Sequence, residues 1–199
     1  MSRVAEHPLG GLIAALAAGR FPAADGAWHR VPPWRSGIEA IVAFTGHAVF
    51  AVEPDISDRL LDDLGADGFG GAHDPRLVSV LAGADGWVDS LDMLLAARGT
   101  GTSPLVDRPD LAAHPRAAFA ARVRDCPRVM GYPDPGRSDL AVISRGIGGL
   151  TEISFELEPG RRETALALGW SATRWGRSGA ASSRWPRSPR VTSPASARC

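Results

Sequence analysis

Residues 139–162 read DLAVISRGIGGLTEISFELEPGRR, and this stretch decides the fold class. Two apolar runs, 139–144 and 150–157, flank the glycine-rich segment 146–149, a pattern that predicts a β-hairpin. The second run alternates, and its two faces carry Ile153, Phe155 and Leu157 on one side and Glu152, Ser154 and Glu156 on the other. A hairpin of this kind behind a helical region predicts a mixed α+β protein.

The helical region lies upstream, where apolar residues recur at helical spacing and capping residues precede them. Helices are predicted over 8–19, 55–64, 75–81, 87–98 and 114–126. Asp55 or Ser57 is expected to cap the second of these helices, and Asp74 followed by Pro75 to start the third. An earlier hairpin is predicted over 38–44 and 47–52, joined by Thr45-Gly46, and residues 21–37 are expected to form a loop.

The amino-terminal apolar run, residues 9–18, follows Arg3, as it would in a signal peptide. Glu6 interrupts the positive start that a signal needs, so a helix and a cytoplasmic protein are expected instead. No run approaches the ~20 apolar residues that cross a bilayer, and no membrane partner is expected.

The composition changes abruptly after Arg162. Residues 1–162 hold 16 Arg against 21 acidic residues, whereas residues 163–199 hold six Arg against the single acid Glu163. The second segment also contains seven Ser and three of the six Trp, and it shows no sustained hydrophobic period after Leu168. It is therefore predicted to be a disordered basic tail.

Several common chemistries lack their residue patterns in this chain. The five histidines, at positions 7, 29, 47, 73 and 114, show no i, i+4 pair, and they are expected to be surface or capping residues. Cys126 and Cys199 form neither a disulfide framework nor a metal cluster. The glycine-rich segments 68–71 and 146–149 do not link a strand to a helix start, so turns are expected rather than phosphate-binding loops.

The strand 151–157 and the following Glu158-Pro159-Gly160-Arg161-Arg162 resemble the centre of the GNAT acetyltransferase superfamily. In that family the fourth strand is followed by an Arg/Gln-x-x-Gly-x-Gly/Ala loop and a helix, whose backbone N–H groups bind the pyrophosphate of acetyl-coenzyme A. In this chain the glycine positions are occupied by Thr164 and Leu166, so the loop pattern fails after Arg162.

A one-base shift of the coding frame near Arg162 would restore the pattern. Back-translation of 163–170 in the neighbouring frame permits D-G-A-G-A-R-L, which gives R-R-D-G-A-G with the two preceding arginines. Residues 188–199 permit A-P-G-N-V-A-S-V-R-A-L, which resembles the Asn-containing helix signature of the same superfamily. The hypothesis is that 163–199 are translated out of frame; a genuine disordered tail and a diverged end of the fold are the alternatives.

The resemblance implies an N-acetyltransferase that transfers an acetyl group from acetyl-coenzyme A to the amine of a small molecule or peptide. It implies that Glu152, preferred slightly over Glu156, accepts the amine proton, and that Leu157, Arg161 and Arg162 contact the coenzyme. The domains would be a helical and hairpin region (1–130), a partial acetyltransferase sheet (131–162) and the tail (163–199). Because the glycine loop is missing, the chain as written is predicted to be inactive.

A different class of function stays open beside this one. The protein could be a non-enzymatic binding or regulatory protein whose basic tail contacts an acidic partner or nucleic acid. Six Arg in 37 residues is dilute and three Trp are unusual in a solvated tail, so a nucleic-acid partner is not expected.

Overall fold

The computed structural model describes residues 7–89, 92–96 and 103–158, together with the backbone of 185–186. Helices and sheets both occur, which confirms the predicted α+β class. The chain divides into two compact units, one of residues 1–94 and 182–195 and the other of residues 95–181 and 196–199. The predicted boundary between residues 130 and 131 falls inside a strand, Asp125–Gly131.

The first unit contains a sheet with helices around it. Its elements in chain order are α1 (Pro8–Ala17), β1 (Trp28–Val31), β2 (Ile38–Phe44), β3 (His47–Ala51), α2 (Asp58–Asp63) and α3 (Pro75–Ala82). The central strand β3 pairs parallel with β1 and antiparallel with β2. On its other edge β2 pairs with the short strand Trp185–Pro186, whose residues oppose Glu39 and Ile38.

The first hairpin forms as its sequence predicts. Its turn is Thr45-Gly46, and Gly46 has a φ of 76°, a left-handed value that favours glycine. Strand β1 lies inside the predicted loop 21–37, so that prediction is wrong at four residues. A run of four residues followed by Pro32-Pro33 is too short to show strand alternation in the sequence. Strand β1 is stabilised by its parallel pairing with β3.

Capping explains where the helices of this unit begin. Ser57 accepts a hydrogen bond from the Leu60 amide at 3.1 Å, and Asp74 accepts one from the Arg76 amide at 2.8 Å, so Ser57 rather than Asp55 caps α2. Helices α2 and α3 pack on the face of the sheet that carries Phe50 and Ile41. The core there is formed by Ile41, Ala48, Phe50, Val52, Ile56, Leu61, Ala72, Leu77, Val78, Leu81 and Ala82.

The predicted helix over 87–98 is wrong for the residues that the structure describes there. Residues 87–89 and 92–96 have no helical structure, and Val88, Met93 and Leu95 are exposed. An amphipathic pattern gives a stable helix only when its apolar face is buried, because isolated short helices are marginal in water.

In its described residues, the second unit is an antiparallel sheet with an α-helix packed on it. Its elements are β4 (Val106–Asp107), α4 (Pro115–Val123), β5 (Asp125–Gly131), β6 (Leu140–Arg145) and β7 (Thr151–Glu156), and the strand order is β4-β5-β6-β7. Helix α4 ends three residues before the predicted Cys126, because Pro127 disfavours helical backbone in the residue before it. The predicted second hairpin is confirmed as β6 and β7.

The two faces of β7 alternate as predicted, but the acidic face is the one that points towards α4. Leu140 and Val142 of β6 pack with Ala117 and Ala120 of α4. Their cross-strand partners are Glu156 and Ser154, so the acidic face of β7 shares the helix side of the sheet. The other face carries Phe155, which is 51% exposed.

Candidate functional site

Glu152, the predicted proton acceptor, lies in the interior. It is 2% exposed, and its Oε1 lies 2.8 Å from Nη2 of Arg124. Its Oε2 accepts a hydrogen bond from the Ile147 amide at 3.3 Å, which ties β7 to the turn that precedes it. The carboxylate of Glu152 is therefore shielded from solvent and held by a buried cation.

Arg124 extends the same buried cluster across the sheet. Its Nη1 donates to the hydroxyl of Ser154 at 3.1 Å and to that of Ser144 at 3.5 Å. A buried charge is tolerated when it is paired and hydrogen-bonded, and this arrangement meets both conditions. We name Arg124, Glu152, Ser144 and Ser154 the Arg124 cluster; its geometry indicates that Glu152 fixes the end of α4 to β7.

Glu156, the second predicted acceptor, is accessible. Its side chain is 31% exposed, and its Oε2 accepts hydrogen bonds from Nε and Nη2 of Arg116, each at 3.3 Å. Such long bonds between partly exposed groups hold a carboxylate weakly. Of the two candidate acceptors, Glu156 is the one that a dissolved amine can reach.

The predicted coenzyme contacts divide between described and undescribed residues. Leu157 is half-buried directly after β7, whereas Arg161 and Arg162 lie outside the described residues. Between them, the carboxylate of Glu158 accepts hydrogen bonds from the amide and hydroxyl of Ser138, at 2.7 and 2.9 Å. The Glu158 amide donates to Asp139 at 2.9 Å, so the chain leaving β7 is held against the loop before β6.

A second group of functional side chains lies in the first unit. The rings of His29 on β1 and His47 on β3 approach to 3.0 Å between Nδ1 of His29 and Nε2 of His47. On its other side, Nδ1 of His47 lies 2.8 Å from Oδ1 of Asp25. These three residues form a continuous hydrogen-bonded chain, which we call the histidine chain.

Close backbone packing fixes the start of the histidine chain. Oδ1 of Asp25 also accepts a hydrogen bond from the Ala27 amide at 2.9 Å, and the Gly26 amide donates to the Gly46 carbonyl at 2.8 Å. A Cβ atom on Gly46 would lie 2.8 Å from Cα of Ala24. A Cβ on Gly68 would lie 2.7 Å from Cα of His47. These glycines let three backbone segments meet beside the two rings.

The local environment lowers the pKa values of two residues of the histidine chain, Asp25 and His29. The hydrogen bond from His47, followed by that from the Ala27 amide, lowers the pKa of Asp25 below its usual value. Burial lowers the pKa of His29, and the charge that His47 can carry lowers it further. Asp25 is therefore a carboxylate and His29 a neutral imidazole at neutral pH.

The lowered pKa of His29 predicts a stability that depends on pH. His29 binds its second ring proton near pH 6.5 in the unfolded chain and only at lower pH in the folded chain. The folded state is therefore fully favoured above pH 6.5, and this part of its stability is lost as the pH falls through the folded pKa of His29. We expect the free energy of unfolding of the first unit to decrease between about pH 7 and about pH 5, and His29→Gln to flatten that slope.

Urea unfolding across this pH range, followed through hydrogen exchange of the β1–β3 amides, measures the slope. His73→Gln is the matched control, because His73 is an exposed histidine of the same unit. An equal slope in the parent chain and in His29→Gln would contradict the prediction.

The sequence prediction of surface or capping histidines is confirmed at three positions and wrong at two others. His73 is exposed. His7 caps α1 by accepting from the Leu9 amide, and His114 caps α4 by accepting from the Arg116 amide. His29 and His47 instead face each other. They are 18 positions apart and meet only through the parallel pairing of β1 with β3, a pairing that the sequence does not reveal.

Two negative findings apply to the part of the chain that the structure describes. Within it, no three His, Cys, Asp or Glu side chains are arranged to hold a metal ion. Within the same residues, no helix has the length and apolar character needed to cross a membrane.

The chain matches no protein-family model, and no curated protein or solved structure matches it at a significant level. Its function is therefore inferred from its own residues.

Proposed function

We propose that residues 103–158 are the opening part of an N-acetyltransferase sheet, whose reaction is transfer of an acetyl group from acetyl-coenzyme A to an amine. The observation that carries the proposal is the position of β7. It is the fourth strand of the sheet β4-β5-β6-β7, and α4 lies between the first and second of these strands. This is the place that the resemblance to the GNAT superfamily assigns to residues 151–157.

The sequence after β7 supports the same reading. The chain continues directly into Glu158-Pro159-Gly160-Arg161-Arg162, where the coenzyme loop of that superfamily begins. Backbone N–H groups at the start of a helix bind a pyrophosphate, provided that the residues between them leave room for its close approach.

The residues present do not fit the coenzyme. Thr164 and Leu166 stand where glycines are needed, and each adds a side chain at a position that must approach the phosphates. The chain as printed is therefore proposed to bind acetyl-coenzyme A poorly and to be inactive. In a chain with the loop restored, the phosphate contacts would come from Arg161, Arg162 and the loop amides.

The proton acceptor in this proposal is Glu156. An amine that attacks an acyl group must lose a proton, and a partly exposed carboxylate on the strand before the coenzyme loop can accept it. Glu152 is assigned a structural role, since removing it from its ion pair would leave Arg124 buried without its charge partner.

The deciding experiment has two steps. The gene is sequenced from the codon for Gly160 to beyond the stop, and the neighbouring frame is expected to stay open past Cys199. A repaired chain carrying R-R-D-G-A-G is then titrated with acetyl-coenzyme A by calorimetry beside the chain as printed. We expect micromolar binding by the repaired chain only.

Other outcomes contradict specific parts of the proposal. Stop codons in the neighbouring frame would make the tail authentic, and salt-dependent binding through its arginines would then be the function to test. Micromolar binding by the chain as printed would contradict its inactivity. Glu156→Gln in the repaired chain is expected to lower kcat by about 100-fold or more, whereas Glu53→Gln, in the other unit, is the unaffected control.

A further inference from the structure

The histidine chain has no part in the acetyltransferase proposal, and it lies in the other unit of the protein. It combines a fixed carboxylate, an enclosed imidazole and a second imidazole that is half-buried. A carboxylate that orients a histidine, which in turn bonds to a third group, is the arrangement that activates nucleophiles in many unrelated enzymes. Here the third group is His29.

The hydrogen bonds determine which atoms carry protons. The carboxylate of Asp25 accepts from Nδ1–H of His47, so a neutral His47 has a lone pair on Nε2. Nδ1–H of His29 then donates to that lone pair, and Nε2 of His29 is left with its own lone pair. When His47 is protonated the direction reverses, because its Nε2–H donates to His29. A proton can thus move between the rings within one 3.0 Å contact.

The two histidines differ in how many of their ring nitrogens take part in the histidine chain. The His47 side chain is 12% exposed and is held on both sides, whereas His29 is half-buried on β1 and its Nε2 is not used in the chain. The lowered pKa of His29 keeps this ring neutral, and a neutral imidazole is the nucleophilic form. The reactive end of the histidine chain is therefore His29.

Two carboxylates lie close to the pair in the part of the chain that the structure describes. Asp25 lies on the segment before β1 and His47 on the adjacent strand β3, and the hydrogen bonds join both to the chain. Asp67, in the neighbouring loop, accepts hydrogen bonds from the amides of Phe69 and Gly71. Asp25 is thus the carboxylate that compensates a positive charge on His47.

An apolar surface lies beside the chain. The Phe69 ring packs directly against Gly26, the residue after Asp25, where any Cβ atom would overlap it. This ring is 74% exposed, so most of its surface faces solvent. It offers an apolar contact for a flat or hydrophobic group.

We propose that His29 is a nucleophile towards activated acyl groups, that His47 takes its proton, and that Asp25 is a positioning residue that orients His47. Nε2 of His29 attacks the carbonyl carbon of an activated aryl ester, an N–C bond forms, and the C–O bond to the departing phenolate breaks. The proton on Nδ1 of His29 moves to Nε2 of His47, giving a neutral acyl-imidazole and an imidazolium beside the Asp25 carboxylate.

Water completes the cycle. It adds to the acyl carbon, the N–C bond breaks, and a carboxylic acid leaves. His47 returns its proton to Nδ1 of His29, and the second proton of the water goes to the phenolate. The net reaction is hydrolysis of one ester by one water, with no other reactant.

The test uses the full chain with p-nitrophenyl acetate and with diethyl pyrocarbonate, which acylates neutral imidazoles. Mass spectrometry of peptides compares all five histidines within the same protein molecule. We expect His29 to react about tenfold or more faster than the exposed His73. Because the pKa of His29 is lowered, its rate of acylation should persist to lower pH than that of an ordinary histidine.

Variants separate chemistry from structure. His29→Gln is expected to abolish the excess ester hydrolysis, and His47→Gln and Asp25→Asn to reduce it about tenfold or more and to move the pH profile. His73→Gln is the matched control and should leave the rate unchanged. Equal acylation of His29 and His73 in the parent chain would overturn the proposal, and so would a pH profile that is the same in His47→Gln. The comparison within the parent chain needs no variant to fold.

Discussion

Replacing Glu152 by alanine is expected to lower the free energy of unfolding of the second unit by about 3–5 kcal/mol. The reason is the charge that remains, since Arg124 would stay in the interior without the carboxylate that now lies 2.8 Å from it. The Ile147 amide would also lose its acceptor. Urea unfolding with hydrogen exchange of the β5–β7 amides measures this loss for the second unit separately.

The matched control is Glu156→Ala, on the same face of the same strand. Its ion pair with Arg116 is partly exposed, so its removal is expected to cost less than about 1 kcal/mol. A double variant, Arg124→Met with Glu152→Met, removes both buried charges and should recover much of the lost stability. Equal destabilisation by Glu152→Ala and Glu156→Ala would contradict the role assigned to the Arg124 cluster.

Replacing Phe50 by alanine is expected to destabilise the first unit by about 3–5 kcal/mol. Phe50 is fully buried, and its ring meets that of Trp28 edge to face with centroids 5.4 Å apart. The substitution removes apolar burial and this aromatic contact, and it leaves a cavity between the sheet and the helices.

Phe69→Ala provides the comparison for Phe50→Ala, because the same side chain is removed from an exposed position of the same unit. We expect it to change the free energy of unfolding by no more than about 0.5 kcal/mol. Urea unfolding with exchange of the β1–β3 amides gives both values. A loss of less than about 1 kcal/mol in Phe50→Ala would mean that this core rearranges to fill the space.

Local signals in the sequence predicted much of the fold. Apolar runs on either side of Thr45-Gly46 and of residues 146–149 predicted both hairpins, and Asp74-Pro75 predicted the start of α3. These features depend on residues that are close in the chain. Strand β1 forms by pairing with β3, which is distant in the chain, and local signals did not predict it. The segment 92–96 was predicted to be helical but is not.

The candidate sites show the same dependence on distant contacts. Alternation placed Glu152 and Glu156 on one face of β7 correctly, but the burial of Glu152 follows from the position of Arg124, 28 residues earlier. His29 and His47 become neighbours only through parallel strand pairing. Periodicity can predict a face of a strand, but it carries no information about what covers that face.

The pairing of Trp185–Pro186 with β2 shows how little a sheet margin asks of the segment that joins it. Ladder hydrogen bonds join backbones and are indifferent to side-chain identity, so the free edge of β2 can pair with extended segments of many different sequences. Pro186 contributes no N–H, which limits the length of such an attachment.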